Sequence, residues 1–415
     1  MREKLSKYPL LAVFTTIFID LLAVGILIPV FPLLILPNSP EKIIPSDWSI
    51  SSGFILLGWL SATYPIMQFL ATPILGEISD RWGRKIVLII SVIGTSFSYM
   101  LFALAIVQKN IPLLFISRAL DGITGGNISV AQAVISDIST PSNRARNFGL
   151  VGMAFGLGFI LGPYIGGKLA DPSVVSWFDA STPFWFAAAL SLLNVCIIFI
   201  FLPETLKTKA NEFKLHLFKS IQNISTAFSR PGLRNVIPST FLFNGGFTFF
   251  TTFFAVYLAN EFNFTQGNTG DYFAYIGLWI ALVQGLITAK VAKKFKDWQV
   301  LRYSMFGMAI ALLCYMAVPA GQYKWLFFVA PFVALFSGLT QAFIPTIVSR
   351  VTPKNIQGEA LGINASVSAL SQTFPAILSG YVATINQHLP VTVGAAFVAA
   401  AGFVFWVLYK PKILQ

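Results

Sequence analysis

Asp20, Arg118 and Asp121 are the residues of this chain best placed to do chemistry, because each lies deep in an apolar stretch. Asp20 is the only charge between Tyr8 and Leu36. A carboxylate at the middle of a bilayer costs about 2.5–3.5 kcal/mol on insertion scales. It has to meet a water-filled cavity, a cation or a proton. Arg118 and Asp121 lie one helical turn apart in the apolar stretch 111–136. Arg118 keeps its charge at any physiological pH. Facing Asp20, it would oppose the effect that loss of water has on that carboxyl. Small changes of geometry could then move a proton on or off. Asp121 can instead pair with Arg118 along one helix, a purely structural alternative. By rise per residue, Asp20 lies ~18 Å from the near end of its span and Asp121 ~22 Å from the same side, so contact or water-bridged coupling is feasible. Ionisable groups at such depth belong to paths for ions or polar solutes.

The elements that carry these groups must be membrane spans. Of 415 residues, 56% are hydrophobic and 11% charged, against about 25% charged in a soluble domain. Twelve apolar segments are long enough to cross a bilayer. They fall near 8–36, 52–78, 84–107, 111–136, 147–170, 181–203, 233–259, 270–290, 299–319, 324–349, 357–384 and 391–409. The first is too long for a signal-peptide core and reads as a span. The expected fold is an all-α membrane protein of twelve transmembrane helices in two pseudo-symmetric six-helix bundles.

Lys and Arg set the orientation. With the N-terminus inside, inner segments hold twenty-three of the 28 basic residues, outer loops hold four (Lys42, Lys109, Lys168, Lys324), and Arg118 is the remaining one. Both termini are therefore expected in the cytoplasm and the chain in a bacterial inner membrane. The net charge of +12 then faces anionic lipid. A nucleic-acid partner would need one folded basic domain, and none is expected. Membrane lipid is expected as a partner, and the chain is expected to work as a monomer.

The longest hydrophilic stretch, 204–232, is basic and weakly amphipathic (Phe213, Leu217, Phe218, Ile221). It reads as a cytoplasmic linker on the membrane surface, joining an N-terminal bundle, 1–203, to a C-terminal bundle, 233–415. The halves echo one another. Thr140-Pro141-Ser142-Asn143 recurs as Thr352-Pro353-Lys354-Asn355, and the run from Arg81 to Leu88 recurs from Lys294 to Leu301. Duplicated bundles of this kind rock about a midplane site.

Two further motifs carry physical content. Gly76-x3-Asp80-Arg81-x-Gly83-Arg84-Lys85 joins spans 2 and 3. Gly76 allows close approach of helices, Asp80 can accept hydrogen bonds at a helix start, and Gly83 can take a positive φ. Arg84 and Lys85 can pair with carboxylates such as Asp137. Span 5 holds Gly158, Gly162, Pro163, Gly166 and Gly167; Gly158, Gly162 and Gly166 recur at spacing four as one smooth face on which another helix can pack, and Pro163 bends the helix.

The ten-residue loop resembles the signature loop of the major facilitator superfamily. The resemblance implies a cytoplasmic latch that breaks and remakes between conformations. Its copy in the second half is degenerate: Gly76 maps to Ala289 and Asp80 to Lys293. The span-5 glycines are similar to the superfamily's antiporter motif, and Arg118 to its span-4 arginine. Asp20 with Gly25, Pro29 and Pro32, and Tyr64-x3-Gln68 in span 2, are similar to the tetracycline/proton antiporters of the drug:proton antiporter group. The match is strongest over residues 15–170.

The second half departs from the tetracycline pattern. Ile280 and Gly307 stand where the resemblance would place a histidine and an acid. It offers uncharged groups instead: Asn244, Thr248 and Thr251, Tyr275 and Trp279, Gln341, Asn364, Ser368 and Gln372. These are interhelix glue or the lining of a substrate cavity that, with Tyr64 and Gln68, suits a bulky amphipathic molecule.

The expected function is proton-coupled export of small amphipathic compounds. Asp20 carries the proton, and Arg118 and Asp121 tune it. The alternative is proton-coupled uptake of a metabolite or siderophore-like compound. No nucleophile–base pair, metal spacing or Gly-x4-Gly-Lys-Ser/Thr loop is present, so neither an enzyme, a cofactor nor ATP-driven pumping is expected. Cys196 and Cys314 read as buried small hydrophobes. Asn127 reads as a packing polar, Glu204 as an interfacial charge, and Glu261 and Asp271 as solvated charges of outer loops.

Overall fold

A computed structural model describes residues 9–37, 39–139, 144–206, 219–352 and 357–410. Among these the chain is helical throughout, with no strand. The helices are α1 (Pro9–Ile35), α2 (Ile50–Trp82), α3 (Arg84–Val107), α4 (Ile111–Gly125), α5 (Asn127–Ile138), α6 (Arg144–Leu169), α7 (Thr182–Phe201) and α8 (Lys219–Ser229). They continue with α9 (Ile237–Phe262), α10 (Gln266–Lys294), α11 (Asp297–Met316), α12 (Lys324–Arg350), α13 (Gln357–Ile385) and α14 (Leu389–Leu408). Nine of these are long and apolar enough to cross a membrane. The pair α4–α5, together with α6 and α13, occupies the other three expected spans.

Local chemistry sets where helices begin. Pro112, Pro183, Pro238 and Pro390 stand in the first turns of α4, α7, α9 and α14, where proline's missing N–H costs nothing. Asn110 adds a side-chain cap, accepting from the Leu113 N–H at 3.0 Å.

Two spans differ from an unbroken helix. The fourth is divided at Gly126, which ends α4 and precedes α5. Hydropathy runs straight through, but Gly122, Gly125 and Gly126 weaken the helix and let α2 approach. A Cβ on Gly126 would come within 3.1 Å of the Thr72 backbone. Side chains of α2 cover the break: Gln68 Nε2 donates to the Gly125 carbonyl at 3.0 Å. Within α10, residues Val283–Ile287 form a π-helical turn.

The chain divides into two compact units. Unit 1 comprises Met1–Trp48, Thr63–Ser220 and Gln266–Phe273. Its core joins Ala12 and Ile17 of α1, Val92 of α3, Val134 of α5, Ala154 of α6 and Ile198 of α7. Unit 2 comprises Ser49–Ala62, Ile221–Thr265 and Ala274–Gln415. An aromatic stack fills its centre, with Phe254 4.7 Å from Tyr315 and the Tyr257 hydroxyl donating to the Tyr315 carbonyl at 3.1 Å. Gly246 and Gly394 let α9 and α14 meet backbone to backbone.

Three expectations change here. Cys196 and Cys314 are exposed rather than buried. Each sits on an exposed apolar face of its helix, with Leu192 and Leu193 near Cys196 and Ile310 and Leu313 near Cys314. Glu261 is held rather than solvated: it accepts from Gln387 Nε2 at 3.0 Å and lies 3.1 Å from His388 Nε2. Asp271, though half exposed, pairs with Lys168 at 2.8 Å. The amphipathic residues Phe213, Leu217 and Phe218, and the repeated loops Thr140–Asn143 and Pro353–Asn355, lie outside the described residues.

Candidate functional site

A polar cluster lies inside unit 1, built on α1, α2, α3, α4 and the first turn of α5. Asp20, Arg118, Asp121, Asn127 and Tyr99 are each no more than 6% exposed. Arg118 Nη1 contacts Asp121 Oδ2 at 2.6 Å, and the Tyr64 ring lies 4.7 Å from the guanidinium carbon. The cation is thus shared between a carboxylate and an aromatic face. Gln68 Nε2 fixes that ring by donating to the Tyr64 hydroxyl at 3.0 Å. Tyr99 and Ser98 adjoin Asp121 from α3.

Asp20 is placed differently from the sequence expectation. No ion pair joins it to Arg118, which is taken up by Asp121. The physical reason is reach: Arg118 and Asp121 are three residues apart on α4 and meet without crossing between helices. Neither carboxylate oxygen of Asp20 has a hydrogen-bond partner among the described residues. Asn127 adjoins it, and both of its amide atoms are likewise buried without a partner. Sequence reasoning took Asn127 for a packing polar and did not single out Tyr99. Their depth, level with Asp20 and Asp121, was the available signal.

At one end of unit 1, Arg84 is the hub of the loop between α2 and α3. Its Nη1 lies 2.6 Å from Asp80 Oδ1 and donates to Ser79 Oγ at 2.6 Å. Its Nε reaches Asp137 Oδ2 at 3.2 Å. Gly83 has φ +108°, a conformation that side-chain-bearing residues avoid. Glu204, which the sequence marked only as interfacial, caps α3. Its carboxylate accepts from the Arg84 and Lys85 N–H groups at 2.9 and 3.2 Å. Those are free donors of a first helical turn, and a negative charge is favoured there. A Cβ on Gly83 would strike that carboxylate. Lys85 Nζ donates to the Phe199 carbonyl at 2.8 Å, and Arg81 is exposed. A Cβ on Gly76 would meet nothing within 4 Å among the described residues.

The glycines of α6 pack on two different neighbours. Gly158, Gly162 and Gly166 meet α1, where a Cβ on Gly162 would lie 2.8 Å from Gly25 Cα. Pro163 Cδ packs on Gly25 as well. Gly167 faces the other way, onto Gly270 of α10.

Against known proteins, the sequence pattern of the Major Facilitator Superfamily matches residues 13–375. The chain belongs to that superfamily. It is a membrane transporter, not an enzyme. It is 29% identical over 395 residues to the tetracycline resistance protein, class C, of Escherichia coli, covering 94% of each chain. It is 27% identical over 380 residues to multidrug resistance protein 1 of Bacillus subtilis (strain 168), covering 91% of this chain and 90% of that one. Among solved structures, the human organic anion transporter MFSD10 (TETRAN) superposes with a TM-score of 0.72 at 21% identity, covering 96% of this chain and 99% of that one.

Within this superfamily member, the polar residues of unit 2 divide by what they touch. Asn244 Nδ2 donates to Ser368 Oγ at 2.9 Å, tying α9 to α13. Thr248 and Thr251 spend their hydroxyls on carbonyls of their own helix. Gln372 is exposed and donates to the Ser368 carbonyl at 3.2 Å. Tyr275 donates to the Phe327 carbonyl at 3.3 Å and meets Trp279 edge-on. Trp279 Nε1 and Asn364 Oδ1 are buried without hydrogen-bond partners among the described residues, and Gln341 is half-buried.

Unit 2 also holds an ion pair between Asp297 at the start of α11 and Arg350 at the end of α12, 2.8 Å apart. Tyr409 adjoins it: burial pushes that phenol up from its ordinary value, Arg350 opposes this and Asp297 adds to it. Asp297 and Arg350 each stand 213 positions beyond Arg84 and Asp137. The degenerate second loop thus keeps an ion pair with its charges exchanged.

Proposed function

We propose that this protein is a proton-coupled antiporter that exports small amphipathic compounds by alternating access. The observation that carries the reading is Asp20, a carboxyl group buried in the first span with no cation paired to it among the described residues and the Asn127 amide beside it. A charge so placed is costly. Uptake and release of a proton as water reaches and leaves it would couple that cost to a change of conformation. The Arg118–Asp121 pair supplies a fixed field beside it. The resistance proteins of Escherichia coli and Bacillus subtilis named above are the basis for export and for the class of substrate.

In this reading two bundles, 1–203 and 233–415, move about a midplane site and are joined by the linker 204–232. The chain is a monomer in the inner membrane with both termini in the cytoplasm. Tyr64, Gln68, Asn244, Thr248, Tyr275, Trp279, Gln341, Asn364 and Gln372 line the path of the substrate. Of these, Trp279 and Asn364 bring unsatisfied hydrogen-bonding atoms, the kind of group that a bound solute satisfies. The loop from Gly76 to Lys85 with Asp137 acts as the cytoplasmic latch.

The test is dye efflux from cells lacking their major pumps. Cells expressing the chain should hold less of a fluorescent amphipathic dye, and an uncoupler should abolish the difference. Asp20→Asn should end uncoupler-sensitive efflux while the purified variant stays folded and monodisperse. Full efflux in that variant would remove Asp20 from the mechanism.

A further inference from the structure

We propose that Arg302, Trp298 and Trp406 form a binding site for the headgroup phosphate of an anionic phospholipid. Arg302 lies in the second turn of α11. Its guanidinium carbon is 4.9 Å from the Trp298 ring and 5.7 Å from the Trp406 ring, so the cation rests between indoles of α11 and α14. Its Nε is buried without a hydrogen-bond partner, and no acid pairs with it among the described residues. The acid nearest in sequence, Asp297, is engaged by Arg350. Two indole faces hold the charge in place but accept none of its hydrogen bonds. An acceptor of opposite charge is the missing part, and a phosphate matches the guanidinium fork.

The surroundings select a lipid over a free anion. Trp406 is 55% exposed, Tyr303 67% and Phe403 56%, a set of rings suited to a membrane interface. Lys293, Lys294, Lys296 and Lys410 are exposed at the same end of the unit, where α11 begins and α12 and α14 end. That local excess of positive charge favours a headgroup with net negative charge over a zwitterionic one. The exposed apolar side chains beside it offer a surface for acyl chains.

The full-length protein, purified in detergent, would be exposed to phosphatidylglycerol or phosphatidylcholine, and retained lipid would be counted by native mass spectrometry. Wild type should retain phosphatidylglycerol in preference to phosphatidylcholine. Arg302→Gln should lower phosphatidylglycerol retention about five-fold, the effect of one interfacial cation, with dye efflux still measurable. Trp406→Leu, which leaves the charge in place, should give a smaller loss and serves if Arg302→Gln does not fold. Equal retention by wild type and both variants overturns the proposal. So does displacement of the lipid by inorganic phosphate at matched concentration, which would make this a site for the free anion.

Discussion

Arg118 and Asp121 answer for each other's charge, whereas Asp20 has a neutral amide, Asn127, beside it and no cation paired to it among the described residues. The two aspartates should therefore respond differently to the same substitution. Asp121→Asn leaves a buried guanidinium with only the Tyr64 ring, and breaking a buried pair costs about 3–5 kcal/mol. We expect a sharp fall in yield and in melting temperature for Asp121→Asn, read by thermal unfolding in detergent. Asp20→Asn breaks no ion pair and keeps an oxygen to face Asn127, so it should melt close to wild type. Equal melting of wild type and Asp121→Asn would show that the pair contributes nothing to the fold. The charged members of the cluster were legible in the sequence because a charge in an apolar run stands out. Tyr99 and Asn127 were not, since aromatic and amide side chains are common in these helices and only folding brings these two beside the aspartates.

At the scale of elements, the start of α3 is held by a residue 120 positions downstream. Glu204 fills the place of a local cap that Gly83, lacking a side chain, cannot supply. Glu204→Ala should cost about 0.5–2 kcal/mol, the usual price of losing a cap. It should also loosen Arg84 from Asp80 and Asp137. Melting temperature and amide exchange over residues 84–88 would record this, and unchanged exchange there would contradict the capping role. No local pattern could have pointed to Glu204. The turn at Gly83 was legible from its glycine and flanking charges, but the helix α2 runs on to Trp82, so the stretch from Gly76 to Arg81 is helix rather than loop. The break at Gly126 and the π turn at Val283–Ile287 were hidden, because hydropathy registers apolar content and not the backbone bonds that a neighbouring helix takes over.

Across the whole molecule, the repeat is visible in chemistry as well as in topology. Arg84 with Asp137, and Asp297 with Arg350, occupy matching positions in the two halves with opposite signs. The sequence comparison found the repeated loop but read its second copy as decayed, because it looked for the same residues rather than the same pairing. If the pair in unit 2 matters as a pair, Arg350→Asp alone sets two acids together and should lower both melting temperature and efflux. Adding Asp297→Arg should restore both. A coupling of about 1 kcal/mol is expected, modest because Arg350 is largely exposed; strictly additive losses would show the two residues to be independent. The spans were readable from apolar lengths, which the membrane itself imposes. Which face of each span meets lipid was not, and the two cysteines show the consequence. The chain has only these two thiols; one lies on the periphery of each unit, and neither has a described part in proton or solute handling. They are native attachment points for a pair of spin labels, so a ruler for the transport cycle can be fitted without altering a single codon.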